Sequence, residues 1–202
     1  MLLFVGLGNP GPEHARQRHN VGFMAVDAIM ARHDFAPAKR RFHGLVGEGR
    51  IGAHKVLALK PMTFMNRSGI SAAEAASFYK IAPENIVVFH DELDLVAGKV
   101  RVKSGGGTAG HNGLVSLDQH LSSGYRRVRI GIGHPGDRSR VLDWVLRDFS
   151  PNDIAWLDPL LDAIAEAASL LARGEDPAFM TKVALLTRPP KKAKPDAQGQ
   201  AG

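Results

Sequence analysis

Two periodicities alternate along the chain. Short apolar runs with strand-like spacing occur at 2–7 (LLFVGL), 43–51 (HGLVGEGRI), 54–60 (HKVLALK), 85–90 (NIVVFH), 99–103 (KVRVK) and 126–132 (RRVRIGI). The second and third are separated by Gly52 and Ala53 and read as a hairpin. Helical spacing runs from Val21 to Arg32, from Ile70 to Tyr79, from Leu114 to Leu121 and from about 151 to 173. Start signals accompany two of these stretches. Ser71 with Glu74 fits a capping box, and Ser150 before Pro151 with Asp153 in the first turn fits another. A last short helix is predicted after Asp176, with Pro177 in its first turn. Strands interleaved with helices define an α/β chain, a three-layer α/β/α domain around a mixed, largely parallel central sheet.

The pattern stops abruptly. Beyond Thr187 the sequence becomes RPPKKAKPDAQGQAG, without a large apolar residue, so the reading is one domain over 1–187 and a disordered basic tail over 188–202. The 202-residue chain carries a net charge of +6, and the tail, with Arg188, Lys191, Lys192 and Lys194 against Asp196, holds half of it. A polyanionic partner is compatible with that excess, but local clusters must carry the case. Cysteine is absent, which excludes disulfides, thiolate metal sites and a cysteine nucleophile. LLFVGLG is too short and too glycine-rich for a signal-peptide core, and no run is long enough to span a membrane. The simplest reading is cytosolic.

Two glycine clusters follow strands. GLGNPG matches a dinucleotide-binding fingerprint in letters through Gly6, Gly8 and Gly11, yet Pro10 removes a backbone donor and the helix begins only near Asn20. KSGGGTAGHNG, from Lys103 to Gly113, exposes backbone amides beside Lys103 and His111 and can seat one phosphate or carboxylate; it lacks a triphosphate-loop ending. The alternative for this segment is a flexible connection with positive-φ glycines.

Candidate chemistry gathers at strand ends. His19 lies in the polar loop after the first strand, and His90 and Asp91 close the NIVVFH strand. If these strands are parallel neighbours, their carboxyl ends open on one side, where His19 and Asp91 meet although 72 positions apart. A histidine held by a carboxylate is a general base. No G-x-S-x-G elbow is present, so water is the economical nucleophile. Metal-activated water on His90, Asp91 and His111 is an alternative without the usual ligand spacing. Asn9, Asn20, Asn66 and Asn112 recur at turns, either as helix caps and turn residues or as neutral donors and acceptors around a carbonyl.

GLGNPG, RHNVGF, KPMTFMN, HDELDL, GGGTAGHNGL and RIGIGHPG occur in one order across residues 6–136. Together they closely resemble the bacterial-type peptidyl-tRNA hydrolases, over essentially the chain up to about 187. The resemblance implies a monomer that needs neither metal nor other cofactor and hydrolyses the ester between a peptide and the 3′-terminal ribose of tRNA. It implies His19 as the base, Asp91 as its partner and Asn9 as the residue that tells N-blocked from free aminoacyl groups. Asn66 and Asn112 would orient the substrate, with Phe64 and Met65 as an apolar cleft wall. Lys103, His111 and Arg129, followed by Arg126, Arg127, Arg138 and Arg140, would hold tRNA phosphates. Where the family usually has tyrosine, this chain has His14, a tRNA contact with a shorter reach. A non-catalytic RNA-binding protein is the rival reading.

Overall fold

The computed structural model describes residues 1–189, so the tail expected over 188–202 lies almost wholly outside the described residues. Seven strands form one sheet: β1 (Leu2–Gly6), β2 (Lys39–Arg41), β3 (Gly44–Ile51), β4 (His54–Pro61), β5 (Ile86–Glu92), β6 (Val100–Ser104) and β7 (Arg126–Gly131), in the order β2-β3-β4-β1-β5-β7-β6. The four central strands are parallel, and an antiparallel ribbon closes each edge. Helices cover both faces. α1 (Val21–Arg32), α5 (Pro151–Ala172) and α6 (Asp176–Leu186) pack on the face that receives Leu2, Phe4, Val87 and Phe89. α2 (Ser68–Tyr79) and α3 (Asn112–Leu121) cover the face that receives Leu3, Val5, Ile86 and Val88. Strands buried on both faces read as continuous apolar runs instead of alternating ones, as LLFVG and IVVF do.

The predicted α/β/α architecture and the hairpin across Gly52 and Ala53 are present, and Ser150 with Asp153 makes the expected capping box at α5. Three local expectations are corrected. α2 starts at Ser68, because a 3-10 turn over Met65–Arg67 begins the helix early; Ser71 therefore lies inside the helix, buried, with its hydroxyl unpartnered, and is no cap. Neither Asn66 nor Asn112 caps a helix: Asn66 is in that 3-10 turn, and the α3 cap is His111. β2 (KRR) and the short helix α4 (Val141–Val145) carry too little periodicity to be read from the chain. Among the described residues no helix is long and apolar enough to cross a membrane.

The GLGNPG glycines have a packing explanation. A Cβ on Gly6 would meet Gly22 O at 2.4 Å, and one on Gly22 would meet Phe89 O at 2.3 Å and Leu7 N at 2.5 Å. α1 thus lies backbone-to-backbone on β1 and β5, which brings the loop before it over the strand ends. Gly22→Ala is expected to destabilise the fold by about 1–3 kcal/mol, because the clash is with main chain that cannot swing aside; chemical denaturation measures it.

Candidate active site

β1 and β5 are adjacent and parallel, and their carboxyl ends bring three side chains together. His19 sits in a 3-10 turn (Arg18–Asn20) leading into α1, and its Nδ1 lies 2.9 and 3.0 Å from the two Asp91 carboxylate oxygens. His111 approaches the same carboxylate from the start of α3, with Nε2 2.8 Å from Oδ1. The glycine-rich context of His111 predicts a phosphate contact. In the structure it is instead a second support for Asp91, which is 3% exposed.

The contacts fix both tautomers. His111 Nδ1 accepts from the amides of Gly113 and Leu114, so that nitrogen is unprotonated and Nε2–H donates to Asp91. The carboxylate accepts from His19 Nδ1–H in the same way, which leaves His19 Nε2 with its lone pair and no protein partner among the described residues. That nitrogen belongs to a residue lining a cleft of about 600 Å³, whose other walls include Leu93, Asp94, Ala109, Asn112, Arg138 and Leu142.

Electrostatics keep the pair poised. Burial pulls the His19 imidazole down, but the Asp91 charge and hydrogen bond outweigh it and leave the group above its ordinary value. Burial likewise opposes an ionised Asp91, and His19 and His111 overcome that, holding the carboxyl well below the usual range. His90, a metal ligand in the alternative drawn from the sequence, turns aside: its Nδ1 donates to its neighbour's carbonyl, Asp91 O, at 2.8 Å, and its Nε2 is buried without a partner. Burial, with His111 nearby, pushes His90 down to about 4.

His90 gives an acid-stability prediction. The folded state keeps this ring neutral while the unfolded chain takes up a proton below about 6.5, so stability is lost as pH falls from about 6.5 toward 4. His90→Asn retains the donor to Asp91 O and cannot titrate. The stability difference between wild type and this variant is expected to shift by about 3 kcal/mol between pH 7 and pH 4 in favour of the variant, read from denaturant unfolding at each pH.

His19, Asp91 and His111 offer three ligand atoms within 4.8 Å of one another, a spacing that admits a metal ion. The donor chemistry fits poorly. A neutral imidazole ligating through Nε2 must carry its proton on Nδ1, and at His111 that position is filled by two incoming N–H groups.

Asparagines frame the same end of the sheet. Asn9 and Asn20 are both buried and lock together: Asn9 N donates to Asn20 Oδ1, and Asn20 Nδ2 donates to Asn9 O, both at 2.9 Å. Asn9 Oδ1 accepts from Met65 N at 2.8 Å. This bond orients the Asn9 amide so that its Nδ2 donor has no protein partner among the described residues. In the sequence Asn20 is only one more turn asparagine; its reciprocal pairing shows that it positions Asn9. Asn66 and Asn112 are exposed, and Asn112 lines the cleft. Phe64 is 62% exposed beside Asn9's partner, whereas Met65 is in the core against Leu7 and Gly113 and presents no exposed wall.

The basic residues divide. Arg129 pairs with Glu92 at 2.8 Å, Arg126 with Asp176 at 2.7 Å, and Arg127 is buried against Asp118 and Gly107 O, so these three expected phosphate contacts are internal ion pairs. Strand positions on an edge ribbon face helices as often as solvent, which charge alone does not reveal. Lys103, Arg138 and Arg140 are exposed without an acidic partner among the described residues. His14 is half-buried, with Nδ1 2.9 Å from Gln17 Oε1.

Fold and site together define a class: an α/β protein with a histidine held by a buried carboxylate at the ends of parallel strands, facing a roomy cleft. Comparison narrows it. The family model "Peptidyl-tRNA hydrolase" matches residues 3–194. A curated peptidyl-tRNA hydrolase of Rhodospirillum centenum is 60% identical over 191 residues, covering 95% of this chain and 84% of its own, and one of Parvibaculum lavamentivorans is 54% identical over 203 residues, covering 100% and 99%. The crystal structure of peptidyl-tRNA hydrolase from Acinetobacter baumannii superposes with a TM-score of 0.85 at 43% identity, over 91% of this chain and 94% of that one. This chain belongs to the peptidyl-tRNA hydrolase family.

Proposed function

We propose that the chain hydrolyses the ester between a peptide and the 3′-terminal ribose of tRNA, with water as nucleophile and His19 as general base, acting as a cytoplasmic monomer without a metal. The observation that carries this reading is the lone pair left on His19 Nε2 by the Asp91 contact, in a residue that lines the cleft. Water at that nitrogen gives up a proton as its oxygen attacks the ester carbonyl. The tetrahedral carbon then collapses, the ribose oxygen leaves, and Nε2–H returns the proton to it. Asp91 stabilises the transient imidazolium. A positioned base contributes roughly 10²- to 10⁴-fold, enough for an activated ester without a covalent intermediate.

With Met65 N on its oxygen, Asn9 leaves its Nδ2 donor without a protein partner among the described residues. A peptide carbonyl satisfies that donor and a free ammonium does not, which supports Asn9 as the residue that selects N-blocked substrates. Exposed Phe64 serves as an apolar rest for the peptide, and Asn66 and Asn112 orient the ester. Lys103, Arg138 and Arg140 hold acceptor-end phosphates, and His14 contacts the terminal nucleotides. Incubation with N-acetyl-aminoacyl-tRNA and with its free-amine counterpart tests the reading. Release from the blocked substrate alone, unaffected by chelators, is expected; binding without turnover would establish the RNA-binding alternative instead.

A further inference from the structure

Arg18 opens the RHNVGF segment directly before His19, and its side chain is only 5% exposed. Among the described residues every partner of its guanidinium belongs to one segment. Nη1 donates to the carbonyls of Arg147 at 3.2 Å and Asp148 at 2.8 Å, Nη2 donates to Asp153 Oδ2 at 2.7 Å, and the group stacks 4.0 Å from the Trp144 ring centroid. A buried cation is costly unless paired, and this one has Asp153 as its counter-charge and two carbonyls beside it. The backbone repeats the connection: Arg18 N donates to Arg147 O at 3.1 Å, Phe149 N donates to Arg16 O at 3.0 Å, and Gln17 and Asp148 form an antiparallel bridge. The same segment supplies Val141, Leu142 and Val145 to the cleft wall.

We propose that Arg18 is a positioning residue for hydrolysis: it clamps the loop carrying His19 to α4 and the start of α5, so that the cleft wall and the base move as one body and a substrate pressing on the wall also sets the base against Asp91. The proposal rests on the hydrolytic reading above. It follows from the geometry because, among the described residues, His19's own side chain is hydrogen-bonded only to Asp91, and the backbone that aims it is fixed from the far side by Arg18. A displacement of about 1 Å in a base costs on the order of 10²-fold in rate.

The test compares Arg18→Met, which keeps the packing on Trp144, and Arg18→Lys, which keeps the charge but not the fork, with Ser150→Ala, which weakens the α5 cap without touching the guanidinium. Hydrolysis of N-acetyl-aminoacyl-tRNA is measured well below each Tm, and the His19 imidazole titration is followed by NMR without substrate. Arg18→Met is expected to lower kcat about 10- to 100-fold with a smaller change in KM, and to move the His19 titration toward that of a free imidazole. Arg18→Lys should fall between it and wild type. Ser150→Ala should lower Tm alone. If both Arg18 variants kept kcat within about two-fold and the His19 titration unchanged while Tm fell, Arg18 would be merely structural and the proposal overturned. Should Arg18→Met fail to fold, Arg18→Lys with a wild-type titration is equally decisive against it. Absence of turnover in wild type would defeat the hydrolytic reading instead, and the NMR titration would still decide whether Arg18 positions His19.

Discussion

His19→Ala is expected to lower kcat/KM for N-acetyl-aminoacyl-tRNA by about 10²- to 10⁴-fold, with KM nearly unchanged, because in the proposed mechanism the lost group acts on the attacking water and not on the bound tRNA. The pH profile of the wild type supplies the companion result. On the proposed mechanism neutral His19 is the active form, and because Asp91 holds its pKa above the ordinary value, activity should rise through a limb above about 6.5 and then level. The Asp91 carboxyl stays ionised throughout that range and adds no limb. Folding stability runs the other way. A pKa raised in the folded state contributes stability that is fully present below about 6.5 and lost as pH rises through the folded value, so the proton that stabilises this site is the one that silences it. A flat profile between about pH 5 and 8, or an alanine variant within ten-fold of wild type, would remove His19 from the role of base.

Asp91→Asn is expected to cost about 10³- to 10⁴-fold in kcat, comparable with the loss of the base itself. Both histidines donate to this carboxylate. An amide oxygen standing for Oδ1 can accept from both, but the NH2 standing for Oδ2 then faces His19 Nδ1, which lies 3.0 Å from that position, and the flipped amide would turn its NH2 on His111. His111 Nε2 cannot yield, because its Nδ1 already accepts two backbone amides. The conflict therefore falls on His19, which is driven to the tautomer with Nε2 protonated and loses the lone pair that water needs. A shape-preserving change thus disables the site through the position of one hydrogen. Steady-state kinetics and the nitrogen chemical shifts of His19 check the two halves of this prediction separately. Normal turnover in the Asp91→Asn variant would mean that the carboxylate does not set the tautomer.

Much of this arrangement is legible in the sequence. The NIVVFH and LLFVGL runs, apolar on both faces, imply buried parallel strands, and parallel neighbours bring His19 and Asp91 to one end of the sheet. What escapes is set by partners far away in the chain. Arg127, Arg126 and Arg129 look alike along a strand, and only the packing of α3, α6 and β5 gives each an acid. His111 sits in a glycine-rich loop that reads as a phosphate seat, and its cap on α3 and contact with Asp91 depend on how that loop folds back. Met65 follows an exposed Phe64, yet the 3-10 turn at that point sends its side chain inward. Gly22 stands in the RHNVGF motif, but its reason, main chain against main chain, belongs to three dimensions.

Asp153 has two duties: it completes the capping box with Ser150 and accepts from Arg18. The first turn of α5 and the loop carrying His19 therefore have no independent route to opening. In amide hydrogen exchange, residues 16–18 and 147–153 should behave as one cooperative unit, protected and released together, although about 130 positions of chain separate them. Local fraying near the base, a common weakness of loops that carry function, is in this fold bound to the unwinding of α5.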